Sequence, residues 1–467
     1  MVSLTFYGGV SEIGGNKILL KDGDTKIFID FGMSFGRRSK FFEEFLTPRT
    51  ANGIGDFLAM GLIPDIKGIY REDLLKHIGR EPEKPEIDAV LLSHGHADHT
   101  NYISFLHSDI PIYCGETTLK LLKAIEEQSK RDIENEVINF KKRPLFRADY
   151  KKPPIERTFK TFRTGDKFKI GSLEIEPVHV DHSVPGAYGF IIHTSSGAIA
   201  YTGDLRLHGN NPQMTREFID KAKEAKPIAM VCEGTRIKER EDKTTEADVY
   251  AKGKNLLSRS NDLSIIDFNF KDVDRFKTFF KIAKELDRKM VISFKHACYL
   301  DQYSTDEKLK VPDCCDGNIL IFKPKVGTGT YDDSDYADGY IKCRLHHPNV
   351  VKADEIGKDC MVVLNFWYFN TLVDLKPPKG AMYMHSLSEP FDEEMEFSFK
   401  RMMNWLDYFG LNFVQNHCSG HATGTDIKEM VKTIAPNVLF PVHTEFPGVF
   451  RRFARTKVVK YGKEYKL

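Results

Sequence analysis

Hydrophobic positions in the first 240 residues come as short, β-branched runs between glycine-rich turns. Lys26–Asp30 (KIFID), Ala89–His94 (AVLLSH), Pro111–Cys114 (PIYC), Gly189–Thr194 (GFIIHT), Ala198–Asp204 (AIAYTGD) and Ile228–Glu233 (IAMVCE) are too short for helices. Their flanking turns predict strands, and several end on a polar or charged residue. The pattern then changes. Asp272–Lys289 places Phe276, Phe279, Phe280, Ala283 and Leu286 at helical spacing behind an acidic start, and a strand-like run, Met290–Phe294, follows. That alternation predicts a separate α/β unit built on a parallel sheet. A helix is predicted over Glu393–Gly410, with a glycine at its stop, another near Asp426–Ile434, and a final strand at Val438–His443 (VLFPVH). Val326–Tyr340, rich in Gly and Asp, reads as a surface loop. There are no internal repeats.

Composition sets bounds on this picture. At about 100–200 residues per domain, 467 residues suggest two to four domains. With 41% hydrophobic and 29% charged residues the chain is globular rather than disordered. No run reaches the ~18 apolar residues of a membrane helix. The start, MVSLTFYGGV, has no signal-peptide pattern, so the expectation is a cytoplasmic protein without a membrane. Lys and Arg total 68 against 67 Asp and Glu, a net charge of +1, so any polyanion site must be local. The one basic stretch is Lys141–Arg163, with nine basic residues against two acidic and with Phe146, Tyr150, Phe159 and Phe162 interleaved. It reads either as a nucleic-acid contact or as an ordinary solvated face. The eight scattered cysteines form no C-x-x-C pair and read as reduced thiols.

The strongest chemical signal is His94-Gly95-His96-Ala97-Asp98-His99, directly after the apolar run Ala89–Leu92. In extended chain His94 and His96 point the same way. A turn into a helix would redirect Asp98 and His99 to a second point a few ångströms off. One segment can thus serve two metal ions, and imidazole with carboxylate suits zinc, iron or manganese. Gly95 and Ala97 fit because bulkier side chains would crowd the ions. The remaining ligands should be His, Asp or Glu at strand ends: His182 after Leu173–Val180, Asp204 ending AIAYTGD, and His443 ending VLFPVH. His179 is the competing choice on the same stretch as His182. Asp30, ending KIFID, is a further strand-end carboxylate suited to orienting a water or a ligand from behind.

These residues resemble the motifs of the metallo-β-lactamase fold, and the later segments resemble its beta-CASP branch, within it the RNase J-type ribonucleases of shorter, archaeal-like form. Glu233 in Cys-Glu-Gly-Thr, His421 in Cys-Ser-Gly-His-Ala and His443 in Pro-Val-His-Thr-Glu match the three beta-CASP motifs. Gly8–Asn16 (GGVSEIGGN) is similar to the opening of those ribonucleases. The resemblance is weakest between residues 235 and 385. It implies an α/β architecture: a metallo-β-lactamase αββα sandwich from residues 1–237 and 415–467, with an inserted α/β beta-CASP domain over 238–414 and a cleft between them.

The resemblance also implies roles. His94, His96 and His182 would hold one metal, Asp98, His99 and His443 the other, and Asp204 would bridge. Glu233 and His421, with Asp30, would form the catalytic set. The ions would be two zinc ions per chain, manganese or magnesium being the alternatives. Ser386, Ser388, His417, Ser419 and Gly420 would contact substrate near a 5′-terminal phosphate. The implied activity is 5′→3′ exonucleolytic and some endonucleolytic cutting of single-stranded RNA, with DNA as the competing polymer and a homodimer as the implied assembly. A non-nuclease hydrolase of the same fold would not need the inserted domain, and a binding subunit with a decayed site would have lost ligands that this chain keeps. The roles of Phe41–Gly68 and Val326–Tyr340 are not readable from the sequence.

Overall fold

A computed structural model describes the chain apart from residues 44, 146–152, 240–243, 337–338 and 389–392 and the side chains of 393–394. Seven residues of the basic stretch, 146–152, among them Phe146, Arg147, Tyr150, Lys151 and Lys152, therefore lie outside the described residues. The chain divides into two units. The first comprises residues 1–207, 211–242 and 420–467, and the second 208–210 and 243–419.

In the first unit two sheets stack face to face. The seven-stranded sheet runs Glu464–Lys466, Val2–Phe6, Lys17–Asp22, Thr25–Phe31, Ala89–Leu91, Ile112–Gly115, Phe159–Phe162. The six-stranded sheet runs Leu439–Pro441, Ala229–Cys232, Gly197–Tyr201, Tyr188–Thr194, Leu173–His179, Phe168–Ile170. Period-2 alternation sorts the side chains. Ile18, Leu20, Ile27, Ile29, Ala89 and Leu91 meet Ile175, Phe190, Ile192, Ile199 and Val231 between the sheets. Leu19, Phe28 and Val90 point outward, onto Phe57, Leu74, Tyr102 and Leu122. Ile191, Ala198, Ala200 and Met230 point outward from the other sheet, onto Phe218 and Ala222 of helix Pro212–Ala225 and Ile427 and Val431 of helix Gly424–Ile434. Burial on both faces is why these strands read as continuous apolar runs. The result is the αββα sandwich. Phe41–Gly68, opaque in the sequence, supplies part of one outer layer through Ile54, Phe57, Leu62 and Ile63.

The second unit holds a seven-stranded, all-parallel sheet in the order Val350–Val351, Ile319–Phe322, Lys289–Ser293, Cys360–Val363, Ser264–Asp267, Met382–His385, Asn412–Gln415. The helix expected over Asp272–Lys289 spans Val273–Glu285, and its start is set by Asp272, whose carboxylate accepts from Arg275 N at 3.0 Å. The helix Glu393–Phe409 ends at Gly410, which has φ +66°. Helix Gly424–Ile434 starts two residues before the sequence expectation, because Thr423 and Asp426 form a reciprocal capping box. Among the described residues no helix is long and apolar enough to cross a membrane.

Candidate metal centre

The strand Ala89–Leu91 delivers His94 and His96, and the chain then turns into the short helix Ala97–Thr100 with His96 as its extended N-cap. That change of direction separates the two ligand pairs of the motif. The helix start is clamped by neighbouring turns: Asn16 N donates to Asp98 O at 3.1 Å and Met33 N to Ala97 O at 3.0 Å. Gly32 must be glycine, since a Cβ there would lie 1.8 Å from Asp98 O. The expectation for Gly95 needs correcting in its reason. A side chain there would strike Leu121, 2.6 Å from its Cδ2, rather than crowd ions.

Strand ends from both sheets bring the other residues in. Two clusters form: His94, His96 and His182; and Asp98, His99, Asp204 and His443. In the first, His94 Nε2 and His182 Nε2 each lie 3.1 Å from His96 Nδ1. Asp204 Oδ2 lies 3.7 Å from His94 Nε2 and 4.0 Å from His182 Nε2. The same oxygen is 3.2 Å from His99 Nε2 and 3.4 Å from His443 Nε2, and Asp98 Oδ2 is 3.0 Å from His443 Nε2. Ligands about 2.0–2.1 Å from a tetrahedral ion stand about 3.3 Å apart, which these spacings approximate.

The outward ring nitrogens of His94, His99, His182 and His443 are engaged. His182 Nδ1–H donates to Gly420 O at 2.7 Å and His99 Nδ1–H to Asp30 Oδ2 at 2.7 Å. Because those partners only accept, Nδ1 carries a proton in both rings and Nε2 is the atom presented to the clusters. His443 Nδ1 pairs with Thr235 Oγ1 at 2.8 Å and His94 Nδ1 with Ser93 Oγ at 3.0 Å. Asp30 also accepts from Ser93 N and Oγ at 2.7 and 2.8 Å and from Tyr201 OH at 2.6 Å. Asp30 and His443 both sit at positive φ, +56° and +51°, a conformation that costs energy and concentrates at functional sites.

The site has the chemistry of a cation trap. Burial, with His99 nearby, pushes the His94 imidazole well below its ordinary pKa, and burial with His96 does the same to His182. Both rings are therefore neutral and able to ligate. Burial alone would raise Asp98 and Asp204, but His99 and His443 hold both below the carboxylate range. His99 Nε2 and Asp204 Oδ1 are buried with no hydrogen-bond partner. Unpaired buried atoms beside ionised carboxylates require positive charge, and a divalent metal ion satisfies both.

Beside the clusters lies a second pair. His421 Nδ1 is 3.3 Å from Glu233 Oε1, and His421 also groups with His182 and Asp204. Glu233 is buried, and its carboxylate accepts from Leu205 N and Thr235 N at 3.2 and 3.1 Å. Burial alone would lower His421, but Glu233, with Asp204 and Asp98, raises it to about 9.

His179, the competing choice, pairs instead with Thr164 Oγ1 at 2.9 Å. Gly420 uses its carbonyl on His182. Ser386, Ser388, His417 and Ser419 belong to the second unit. There Ser386 is buried, donating to Asn416 O and accepting from the buried Arg275 at 2.6 Å, and Arg275 Nη1 lies 3.2 Å from His417 Nδ1. In the described part of the basic stretch, Arg157 is buried and donates to Leu106 O and Ser104 O, while Arg143 and Arg163 pair with Glu136 and Glu116. Arg157 braces the fold from within, and Arg143 and Arg163 are held by ion pairs at its surface. Sequence reasoning missed Ser93, Tyr201 and Thr235. Ser93 alone carried a signal, as a hydroxyl immediately before the motif.

Comparison with known proteins agrees with this architecture. Residues 64–241 match the family described as "Beta-lactamase superfamily domain", and residues 412–463 match "Zn-dependent metallo-hydrolase RNA specificity domain". The chain is 22% identical to the Ribonuclease J of Pyrococcus abyssi over 459 residues, 96% of this chain and 90% of that one. It is 21% identical to that of Mycoplasma genitalium, covering 94% and 67% of the two chains, and 22% identical to that of Helicobacter pylori strain 26695, covering 96% and 57%. A crystal structure of a protein of unknown function from Enterococcus faecalis V583 superposes with a TM-score of 0.76 at 24% identity, covering all of both chains, which shows the shared fold. The chain belongs to the metallo-β-lactamase superfamily, in its beta-CASP branch with the ribonuclease J proteins.

Proposed function

We propose that this protein is a two-metal phosphodiesterase that degrades single-stranded RNA, removing nucleotides from the 5′ end and cutting internally as a second mode. The observation that carries the reading is the pair of ligand clusters meeting at Asp204, with the Glu233–His421 pair beside them. Relatives named Ribonuclease J match across most of the chain, and the RNA-specificity domain points to the same polymer. His94, His96 and His182 would hold one zinc ion, and Asp98, His99 and His443 the other, with Asp204 between them. Bound divalent ions supply Lewis acidity toward a phosphate and a water acidified to near neutral pH.

The chain's own residues do the rest. Asp30 holds His99 in one tautomer and one orientation, and Gly420 O does the same for His182. Glu233 holds the His421 imidazole and favours its protonated form, so His421 can deliver a proton to the leaving oxygen as the phosphodiester opens. Ser388, His417 and Ser419 are the substrate-contact candidates of the second unit.

The test uses 5′-labelled RNA and DNA oligomers of one sequence, each with a 5′-monophosphate or a 5′-triphosphate. The expected result is metal-dependent release of mononucleotides from 5′-monophosphorylated RNA, with DNA cut more slowly. Equal cutting of DNA would replace RNA by nucleic acid in general, and no cutting of either polymer by the metal-loaded protein would overturn the reading. Elemental analysis near two zinc ions per chain is the companion expectation.

A further inference from the structure

Four consecutive residues of the first unit, Glu233, Gly234, Thr235 and Arg236, follow strand Ala229–Cys232 and touch both the second ligand cluster and the proton-donor pair. Thr235 Oγ1 lies 2.8 Å from His443 Nδ1 and donates to His443 O at 3.4 Å. With the hydroxyl proton directed to that carbonyl, Oγ1 accepts from Nδ1–H. Nε2 is then the atom that faces Asp98 Oδ2 at 3.0 Å and Asp204 Oδ2 at 3.4 Å. Gly234 N donates to the same carbonyl at 3.4 Å, and His443 N donates to Gly9 O at 3.0 Å. The left-handed turn at His443, with φ +51°, is thus gripped through both its backbone groups, and its ring is gripped by the Thr235 hydroxyl.

The same four residues also reach the proton donor. Thr235 N donates to Glu233 Oε2 at 3.1 Å, while Leu205 N holds Oε1 at 3.2 Å and Oε1 lies 3.3 Å from His421 Nδ1. Arg236 Nη1 donates to His421 O at 3.3 Å, and Arg236 bridges to Thr423 two residues further on. The turn has little play. A Cβ on Gly234 would lie 2.7 Å from Phe450 Cζ and 3.1 Å from Thr444 Cβ. Close-packed interiors pass displacements on to their neighbours. A shift that releases the His443 ring from Thr235 therefore also moves the backbone N–H that holds the Glu233 carboxylate. The His421 and His443 rings stand with centroids 5.6 Å apart, so ligand and proton donor are served by one short segment.

We propose that Thr235 is a positioning residue with two outputs. Its hydroxyl orients the His443 imidazole for a divalent ion, and its backbone N–H ties the Glu233–His421 pair to that same anchorage, so that the proton donor is aligned by the turn that presents the ligand. The proton-donor half rests on the nuclease reading; the ligand half does not.

The test uses the whole chain. Thr235→Val removes the hydroxyl and keeps the shape, and Thr235→Ser keeps the hydroxyl. Should the valine variant not fold, Thr235→Ala takes its place. Zinc affinity is measured by competition with a chromophoric chelator. Thr235→Val should weaken one bound zinc ion by about 10–100-fold and leave the other unchanged, and Thr235→Ser should restore the native affinity. In zinc-saturated Thr235→Val, kcat on 5′-monophosphorylated RNA should fall by about 10²-fold, the usual consequence of a misplaced group, with KM unchanged. In a His421→Ala background that further loss of kcat should shrink, because both substitutions act on one proton transfer, whereas the loss of zinc affinity should stay the same. Folded Thr235→Val that binds both ions as tightly as the native chain, or Thr235→Ser that behaves like Thr235→Val, overturns the ligand role. An unchanged kcat, or a loss of equal size with and without His421, overturns the tie to the proton donor. A native, metal-loaded chain that cuts no RNA sinks the nuclease reading instead, and the zinc measurements still decide the ligand role.

Discussion

Asp30→Asn is the sharpest test of how the metal centre is held. The substitution keeps the side-chain shape, and asparagine tolerates the positive φ of +56° at this position. What changes is the hydrogen-bond count. In the native site Asp30 accepts four bonds: Oδ1 from Ser93 N, and Oδ2 from Ser93 Oγ, His99 Nδ1 and Tyr201 OH, all between 2.6 and 2.8 Å. An amide has one acceptor oxygen. If it replaces Oδ2, the new NH₂ faces Ser93 N–H, a donor against a donor. If it replaces Oδ1, the NH₂ faces three donors, and His99 can satisfy it only by moving its proton to Nε2, where the lone pair is needed for metal. The first orientation leaves a buried donor clash behind His99, and the second takes the lone pair from its Nε2.

Losing an outer carboxylate behind a metal-bound histidine typically weakens metal binding by about 10–100-fold, equivalent to about 1.4–2.8 kcal/mol. A loss within this range is expected here, because each amide orientation leaves a buried donor facing a donor. Competition for zinc against a chromophoric chelator measures the affinity, with circular dichroism confirming the fold. Asp30→Asn protein that binds zinc as tightly as the native chain while remaining folded would refute the idea that this carboxylate sets the ligand's tautomer.

Other substitutions separate holding metal from using it. His421→Ala should retain metal and lose about 10²–10⁴-fold of turnover, whereas His94→Ala should lose metal by elemental analysis; full-rate cutting by His421→Ala removes its proton-donor role. Gly32→Ala drives a Cβ to within 1.8 Å of Asp98 O and 2.3 Å of His99 N, so it should destabilise the chain by about 1–3 kcal/mol or more in urea unfolding and lower metal content. Lys17 is buried beneath the site, where burial lowers its ammonium from 10.5 to about 7. Between those values the unfolded chain holds a proton that the folded chain does not, so native stability should rise with pH across that window. The full span is worth about 5 kcal/mol. Lys17→Met should flatten that slope in denaturant titrations at pH 7, 8.5 and 10, and an unchanged slope places the Lys17 proton elsewhere.

The sequence disclosed the strands of the first unit well because both faces of those strands are buried, leaving unbroken apolar runs such as AVLL and GFII. It disclosed the second unit poorly. Ser264–Asp267, Ile319–Phe322 and Met382–His385 are four residues each, too short for any period to emerge. Val2–Phe6 was missed because VSLTF reads as half polar, yet all five residues are buried, Ser3 being satisfied by Glu464 at 2.7 Å. Helix Glu116–Gln128 left no notice for a related reason: its start is a strand-end glycine, Gly115, with no side-chain cap.

The same contrast explains what was legible in the site. Only a few side chains can donate to a cation, so His94, His96, Asp98, His99, His182, Asp204 and His443 stand out wherever strands end. The groups that aim them need only offer a hydrogen-bond partner, and almost any residue can. Asp30 and Thr235 act through side chains, Gly420 through a carbonyl, and Gly9 through a carbonyl that accepts from His443 N at 3.0 Å. Nothing in a one-dimensional pattern marks a backbone carbonyl as a support. Strain does mark the place, however. Asp30, in a strand of one sheet, and His443, just past a strand of the other, hold left-handed backbone conformations, and each side chain meets the clusters directly or through one imidazole. Two costly turns at non-glycine residues persist only where the surroundings over-determine them. Here the determinants are the partners of one histidine-rich cluster, so the energy stored in the two turns is the cost of presenting ligands before any metal arrives.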